Sequence, residues 1–231
     1  MIYSRRQLLG AGAAAGLLAT AAQGQSLAEI VAGLKDPEPK PIMPPLQSAV
    51  VPAQPRVMVD GVIDPRLLAR ARAAFDRHRS HIRNTDFVAI ADFARPSRDH
   101  RFFVLDTRSG QVTTHRVAHG RGSDPAHSGY LEHFSNRIGS EASSHGGYVT
   151  GDFYQGKYGR SMKLRGLDWS NNNAEARAIV VHSAWYAEPN QVDAHGKLGR
   201  SEGCFALSYD SLQQVLARLG PGHFLYADKL A

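Results

Sequence analysis

The 231 residues contain a single cysteine, Cys204, in Gly199-Arg200-Ser201-Glu202-Gly203-Cys204-Phe205-Ala206-Leu207. Glycines and polar residues precede it and an apolar run follows, so it opens a strand. Twenty-two residues earlier the very apolar run Ala178-Ile179-Val180-Val181 ends in His182. If these strands are neighbours, imidazole and thiol meet, and a nearby imidazole converts a weakly acidic thiol into the thiolate that attacks a carbonyl carbon. Gly203 fits the same chemistry, because a glycine accepts φ angles that turn backbone N–H groups toward one point where an oxyanion forms. Each feature alone has a bland reading: a buried cysteine acting as a small hydrophobe, a satisfied strand-end histidine, an ordinary turn glycine. Their coincidence in one chain favours a nucleophilic cysteine.

The N-terminus sharpens the question of the lone thiol. Ser4-Arg5-Arg6-Gln7-Leu8-Leu9 precedes a mildly apolar run to Ala22, and Ala19-Thr20-Ala21 offers a small-residue cleavage site. That order resembles a twin-arginine export signal, expected over residues 1–25, and the run is too short and too rich in Gly and Ala to span a bilayer. The expected location is the periplasm or cell envelope, with no membrane attachment once the signal is removed. In an oxidising compartment paired cysteines would suggest disulfides, whereas one alone suggests a reactive thiol or an intermolecular bridge. The net charge of +6 is spread along the chain without basic runs, so nucleic acid is not an expected partner.

The elements that must position this pair follow from periodicity. Residues 26–60 carry seven of the twelve prolines and few large apolar residues, and are read as an extended tether or a strap on the domain. Asp64-Pro65 supplies a helix cap and first turn, with Leu67, Leu68, Ala71, Ala74 and Phe75 at helical spacing. Short strands are expected over 87–93, 102–106, 111–118, 147–151, 161–166, 178–182, 204–207 and 223–227, with a capped helix from Ser208 to the Gly220-Pro221 stop. Residues 119–147 read as a loop whose length points to function. Residues 61–231 are therefore expected to be one mainly β domain with a few peripheral helices.

His182-Ser183 followed by Gly199-Arg200-Ser201-Glu202-Gly203-Cys204 resembles the S-x-G-C signature of the L,D-transpeptidase catalytic domain, YkuD type, in its murein branch. The resemblance continues upstream through Ala89 to Ser97, Arg101 to Asp106, Ala118-His119-Gly120-Arg121-Gly122-Ser123 and Thr150 to Gly159, covering most of residues 84–227. It implies an L,D-transpeptidase-like β-sandwich or barrel acting on peptidoglycan stem peptides, without metal or organic cofactor. Carried over by position, Cys204 is the nucleophile, His182 its base, and the main-chain carbonyl of Ser183 the group that orients the imidazole. The Gly203 and Cys204 amides form the oxyanion site, and Arg200, Ser201, His119 and Tyr154 are the substrate-binding candidates. Susceptibility to carbapenems is implied as well.

Two departures stand out: Ala206 where many relatives place an arginine, and Ser183 where many place a glycine. A basic group for a substrate carboxylate must then come from elsewhere, with Arg200, Arg165 and Lys163 as candidates. His115 and His119 lie four apart on strand-like sequence without an H-E-x-x-H pattern, which disfavours a metal peptidase. The competing readings are an L,D-carboxypeptidase, with water resolving the same intermediate, and a peptidoglycan-binding protein with a degenerate site.

Overall fold

The computed structural model describes residues 57–59 and 61–231, which fall in one compact unit. The export signal and all but the end of the expected tether lie outside the described residues. The end of that tether, Val57–Met58, is strand β1, paired antiparallel with the fourth strand. The remaining strands are β2 (Phe87–Asp92), β3 (Phe102–Asp106), β4 (Gln111–His115), β5 (Gly146–Gly156), β6 (Gly159–Gly166), β7 (Val180–Ser183), β8 (Phe205–Leu207) and β9 (Phe224–Asp228). The helices are α1 (Pro65–Arg77), α2 (Pro189–His195) and α3 (Tyr209–Leu216).

One sheet runs β1-β4-β3-β2-β9-β5-β6-β7-β8. Its far edge curls back on the other limb, because Ala118, just beyond β4, bridges Ala206 of β8 with an N···O distance of 2.8 Å. The result is a nearly closed barrel, the expected mainly β architecture with peripheral helices. Alternation along the strands fills it. Ala89, Ala91, Phe102, Val104, Val181, Phe205, Leu207, Leu225 and Ala227 point inward to a core that also receives Tyr148, Met162 and Leu164. Val88, Ile90, Phe103, Phe224 and Tyr226 point outward, where α1 covers them with Leu67, Ala71 and Ala74. This two-sided burial explains why β2 reads as a continuous apolar run rather than an alternating one.

Local chemistry sets the helix boundaries. The Asp64 carboxylate accepts from the Arg66 amide at 2.8 Å with Pro65 in the first turn, and the Ser208 hydroxyl accepts from the Ser211 amide at 3.2 Å at the start of α3. Helix α3 then inserts Leu212, Val215 and Leu216 into the barrel core. Each large side chain buried this way contributes on the order of 1.5–3 kcal/mol.

Two expectations need correction. The strand expected over 147–151 continues to Gly156 through a bulge between Thr150 and Phe153, and with β6 forms a hairpin turning at Lys157-Tyr158. Its distal half is polar and partly exposed, so apolar periodicity cannot reveal it. Helix α2 also has no counterpart in the expected elements, because all of its side chains are at least partly exposed.

Two buried histidines make the fold acid-sensitive. His115 on β4 is buried with neither ring nitrogen hydrogen-bonded; burial, then the charges of Arg218 and His100, pulls its pKa down to about 4. Burial, then Arg101, pulls His119 down to about 3. The unfolded chain takes up these protons near an ordinary histidine pKa of about 6.5, whereas the folded chain refuses them. Stability should therefore decline as pH falls from about 6.5 toward 4, by up to about 1.4 kcal/mol per pH unit for each histidine. Denaturant melts from pH 7 to 4 check this: His115→Leu should flatten the slope, and an unchanged slope would contradict the assignment.

Candidate active site

Strands β7 and β8 are parallel neighbours, with Val181 opposite Phe205, His182 opposite Ala206 and Ser183 opposite Leu207. Val181, Phe205 and Leu207 face the barrel core, so His182 and, one residue before β8, Cys204 stand on the outer face. Strands lie about 4.8 Å apart and two residues of strand span about 6.6 Å, so the two residues occupy diagonal positions on one face. Both line a cavity of about 500 Å³ on that face. The sequence expectation that these strands are neighbours holds.

The imidazole is fixed on two sides. His182 Nδ1 donates to the Ser183 carbonyl at 2.9 Å, which leaves Nε2 as the basic nitrogen. Tyr158 stacks on the ring at 4.4 Å between centroids and 18° between planes. Ser183 also donates its hydroxyl to the Tyr158 carbonyl at 3.3 Å, tying β7 to the β5–β6 hairpin. Burial lowers the His182 pKa, the bond to Ser183 opposes this, and the Lys157 charge adds to the lowering. The resting imidazole is neutral.

Cys204 sits at the end of a tightly built turn. The Ser201 hydroxyl donates to the Cys204 carbonyl at 2.7 Å and accepts from the Gly203 amide at 3.2 Å. Gly203, expected as an oxyanion donor, therefore has its amide committed inside the turn; Ser201 borders the cavity but acts by holding that turn. Gly203 has φ +111°, and a Cβ there would lie 2.7 Å from the Ala142 carbonyl oxygen. The thiol donates to the Ala178 carbonyl at 3.5 Å. Burial pushes its pKa up, against the Val180 amide that draws it down; Glu202 raises it, while Arg177 and Lys157 lower it. Both shifts favour the neutral thiol and the neutral imidazole over a thiolate–imidazolium pair.

The long loop 119–147 forms the wall behind this turn. Gly120 packs so closely that a Cβ would lie 2.7 Å from the Gly203 nitrogen and 2.3 Å from the Glu141 carbonyl oxygen. Ser201 N donates to the His119 carbonyl at 2.9 Å and Arg121 N to the Ser201 carbonyl at 2.8 Å, and Ser143 Oγ accepts from Gly120 N at 3.0 Å. His119 does not line the cavity, which corrects its assignment to substrate. Only 1% exposed, it lies between the Arg101 guanidinium (2.7 Å to Nδ1) and the Asp124 carboxylate (3.3 Å to Nε2). It is a buttress that the family-like Ala-His-Gly element positions, not a substrate contact.

Arg200 and Tyr154 do line the cavity. Arg200 reaches the carbonyls of Asp124 and Pro125, and Tyr154 projects from the hairpin. Arg165 and Lys163 are exposed residues of β6 outside the cavity lining. The lining residues that the sequence did not single out for the site include Arg121, Lys157, Arg177, Tyr158 and Tyr186. Of these, Arg121, Lys157 and Tyr158 carried a signal, since they fall in the family-like stretches Ala118 to Ser123 and Thr150 to Gly159. Arg121 pairs with Glu141 and lies 3.8 Å from Glu202. A neutral thiol, a fixed imidazole with a free basic nitrogen, and an open cavity can together attack an electrophilic carbonyl and shuttle its proton. Gly203→Ala should cost about 1–3 kcal/mol in stability and slow iodoacetamide alkylation of Cys204; unchanged melting and alkylation would contradict the turn's described strain.

The model of the family described as the L,D-transpeptidase catalytic domain matches residues 60–227. No curated protein sequence matches the chain. Among solved structures, an L,D-transpeptidase from Mycobacterium smegmatis is similar at 13% identity and TM-score 0.37, over 62% of this chain and 58% of that one. The helical cell shape determining protein Pgp2 of Campylobacter jejuni, a K307A mutant, is similar at 13% identity and TM-score 0.40, over 65% and 49%. L,D-transpeptidase 3 from Mycobacterium tuberculosis, in complex with a faropenem-derived adduct, is similar at 15% identity and TM-score 0.34, over 62% and 60%. The chain thus spans less than two thirds of the length of these structures. With the family model covering nearly the whole described domain and the barrel built as the motif requires, the chain belongs to the L,D-transpeptidase catalytic-domain family.

Proposed function

We propose that the protein is an L,D-transpeptidase of peptidoglycan stem peptides, with Cys204 as nucleophile. The observation that carries this reading is the convergence of Cys204 and His182 on one cavity, with His182 Nδ1 held by the Ser183 carbonyl. Cys204 Sγ attacks the carbonyl carbon of the third stem residue while His182 Nε2 takes the thiol proton. The tetrahedral adduct collapses to a thioester, the amide C–N bond breaks, and the same proton passes to the departing D-alanine amine. An acceptor amine then attacks the thioester carbonyl carbon, its proton goes to His182, the new C–N amide bond forms as the C–S bond breaks, and the proton returns to the expelled Cys204 thiolate. The Cys204 amide serves the oxyanion, and Arg200 and Tyr154 contact the peptide. The residues of this site need neither metal nor organic cofactor for these steps. Action in the periplasm or cell envelope, reached by the twin-arginine route, completes the reading, and covalent inhibition by carbapenems is expected of such a thiol.

Because burial raises the thiol pKa and lowers the imidazole pKa, proton transfer accompanies attack rather than preceding it. Alkylation of the free protein by iodoacetamide should keep rising with pH above the ordinary thiol range near 8.5. A plateau already reached below pH 7 would indicate a preformed ion pair and contradict this order of events.

Incubation with tetrapeptide muropeptides, read by product mass, tests the function. Cross-linked or amino-acid-exchanged products are expected, and Cys204→Ala should reduce them by at least about 10³-fold, the order expected when a nucleophile is lost. Plain tripeptides as the sole product would instead identify an L,D-carboxypeptidase. Full activity in Cys204→Ala, or binding to sacculi with no product from the parent protein, would overturn the enzyme reading.

A further inference from the structure

Position 206, two residues beyond Cys204, cannot hold a cation. Ala206 is fully buried on the outer face of β8 against Ala118, Ala184, Ala187 and Leu198, and its backbone forms the bridge that closes the barrel. A guanidinium would have to displace that cluster. The cavity nevertheless carries four basic side chains, Arg121, Lys157, Arg177 and Arg200. Arg121 is matched by Glu141. Arg200 turns to the Asp124 and Pro125 carbonyls. Lys157 stands exposed at the hairpin turn, with its ammonium 4.8 Å from the Tyr158 ring centroid.

Arg177 differs from all three. It belongs to the turn before β7, and its guanidinium reaches behind the cysteine turn, where Nη2 would lie 3.1 Å from a Cβ on Gly203. Its hydrogen bonds go to the Ser135 carbonyl, the Ser144 hydroxyl at 2.7 Å and the Ala142 carbonyl. All of these acceptors are neutral, and among the described residues no carboxylate lies within ion-pair distance. The full charge therefore remains to act on whatever anion forms at Cys204. The segment that carries it is anchored in turn: Asn136 donates to the Trp169 carbonyl and the Asn172 side chain at 2.7 Å each, and Asn173 N donates to Asn136 at 3.1 Å.

We infer that Arg177 is the electrostatic and positioning residue of this site, supplying from the turn before β7 the positive charge that position 206 cannot. Its guanidinium braces the loop wall behind Gly203 and favours the anionic form of Cys204 and the anionic carbonyl adduct. The mutual electrostatic influence of Arg177 and Cys204 agrees with this placement. The other titratable groups lining the cavity with the thiol are Arg121, Glu141, Tyr154, Lys157, Tyr158, His182, Tyr186, Arg200 and Glu202, and these stay constant in the variants below. The inference rests on the nucleophile assignment but not on the identity of the peptide.

The test reads the thiol alone, without peptidoglycan: the pH midpoint of iodoacetamide alkylation for the parent protein, Arg177→Gln and Arg177→Lys, with melting curves alongside. Gln keeps amide donors for the neutral acceptors and removes the charge; its midpoint should move up by about one pH unit, and alkylation at neutral pH should slow about tenfold. Lys keeps the charge and should retain the parent midpoint even where melting drops. A parent-like midpoint in Arg177→Gln, an equal upward shift in Arg177→Lys, or loss of folding in both variants would reduce Arg177 to a structural role and overturn the inference. Should no variant, the parent included, be alkylated at Cys204, the nucleophile assignment itself fails.

Discussion

Everything in the site depends on the parallel pairing of β7 with β8. Because Val181 sits opposite Phe205 and both enter the core, the alternate residues His182 and Cys204 have no choice but to share the outer face. A slip of one residue would turn the imidazole into the barrel and the phenylalanine into the cavity. The register is held by large, fully buried side chains, so the energy of the core is also what aims the chemistry. Barrel closure through Ala118 and Ala206 fixes β8 from its other side, and the small residues that allow this approach are what exclude an arginine from position 206.

The second constraint is steric and lies in the loop wall. Gly120, Gly203 and the Glu141-Ala142 backbone approach one another so closely that Cβ atoms at either glycine would collide with main chain. The polar residues of loop 119–147, with Arg101 from just before β3, serve this packing: Arg101, His119 and Asp124 form one hydrogen-bonded chain, Asp124 accepts from the Gly129 amide, and Ser143 accepts from the Gly120 amide. Asp124, pushed up by burial, is held below its ordinary pKa by the Ser128 and Gly129 amides and remains a carboxylate against His119. Polar groups at that depth are tolerable only when bonded, which ties the loop's conformation to the turn it supports.

Much of this was legible in the sequence where the physics is local. Apolar runs marked β2, β3, β7 and β8, Asp64-Pro65 and Ser208 marked two helix starts, and the strand positions of His182 and Cys204 marked two residues that line one cavity. The distal half of β5 was hidden because Asp152 to Gly156 carry no apolar alternation, and the hairpin is held by backbone pairing that leaves no trace in hydropathy. The roles of Arg177 and His119 were hidden for a different reason. Their contacts span 33 to 42 and 18 residues respectively, and only the closed barrel brings them to opposite sides of one turn. The burial of Ala206 against Ala118, Ala184 and Ala187 is likewise a property of packing that one sequence cannot display.

The central claim is that Cys204 is the acylated residue and His182 the base that serves it. The most direct measurement is intact-protein mass spectrometry with peptide mapping after incubation with a carbapenem, comparing the parent with His182→Gln. A one-to-one adduct on the peptide containing Cys204, formed at least about 100-fold more slowly in His182→Gln, is the predicted result. An adduct on another residue, or equal rates with and without the imidazole, would contradict the account.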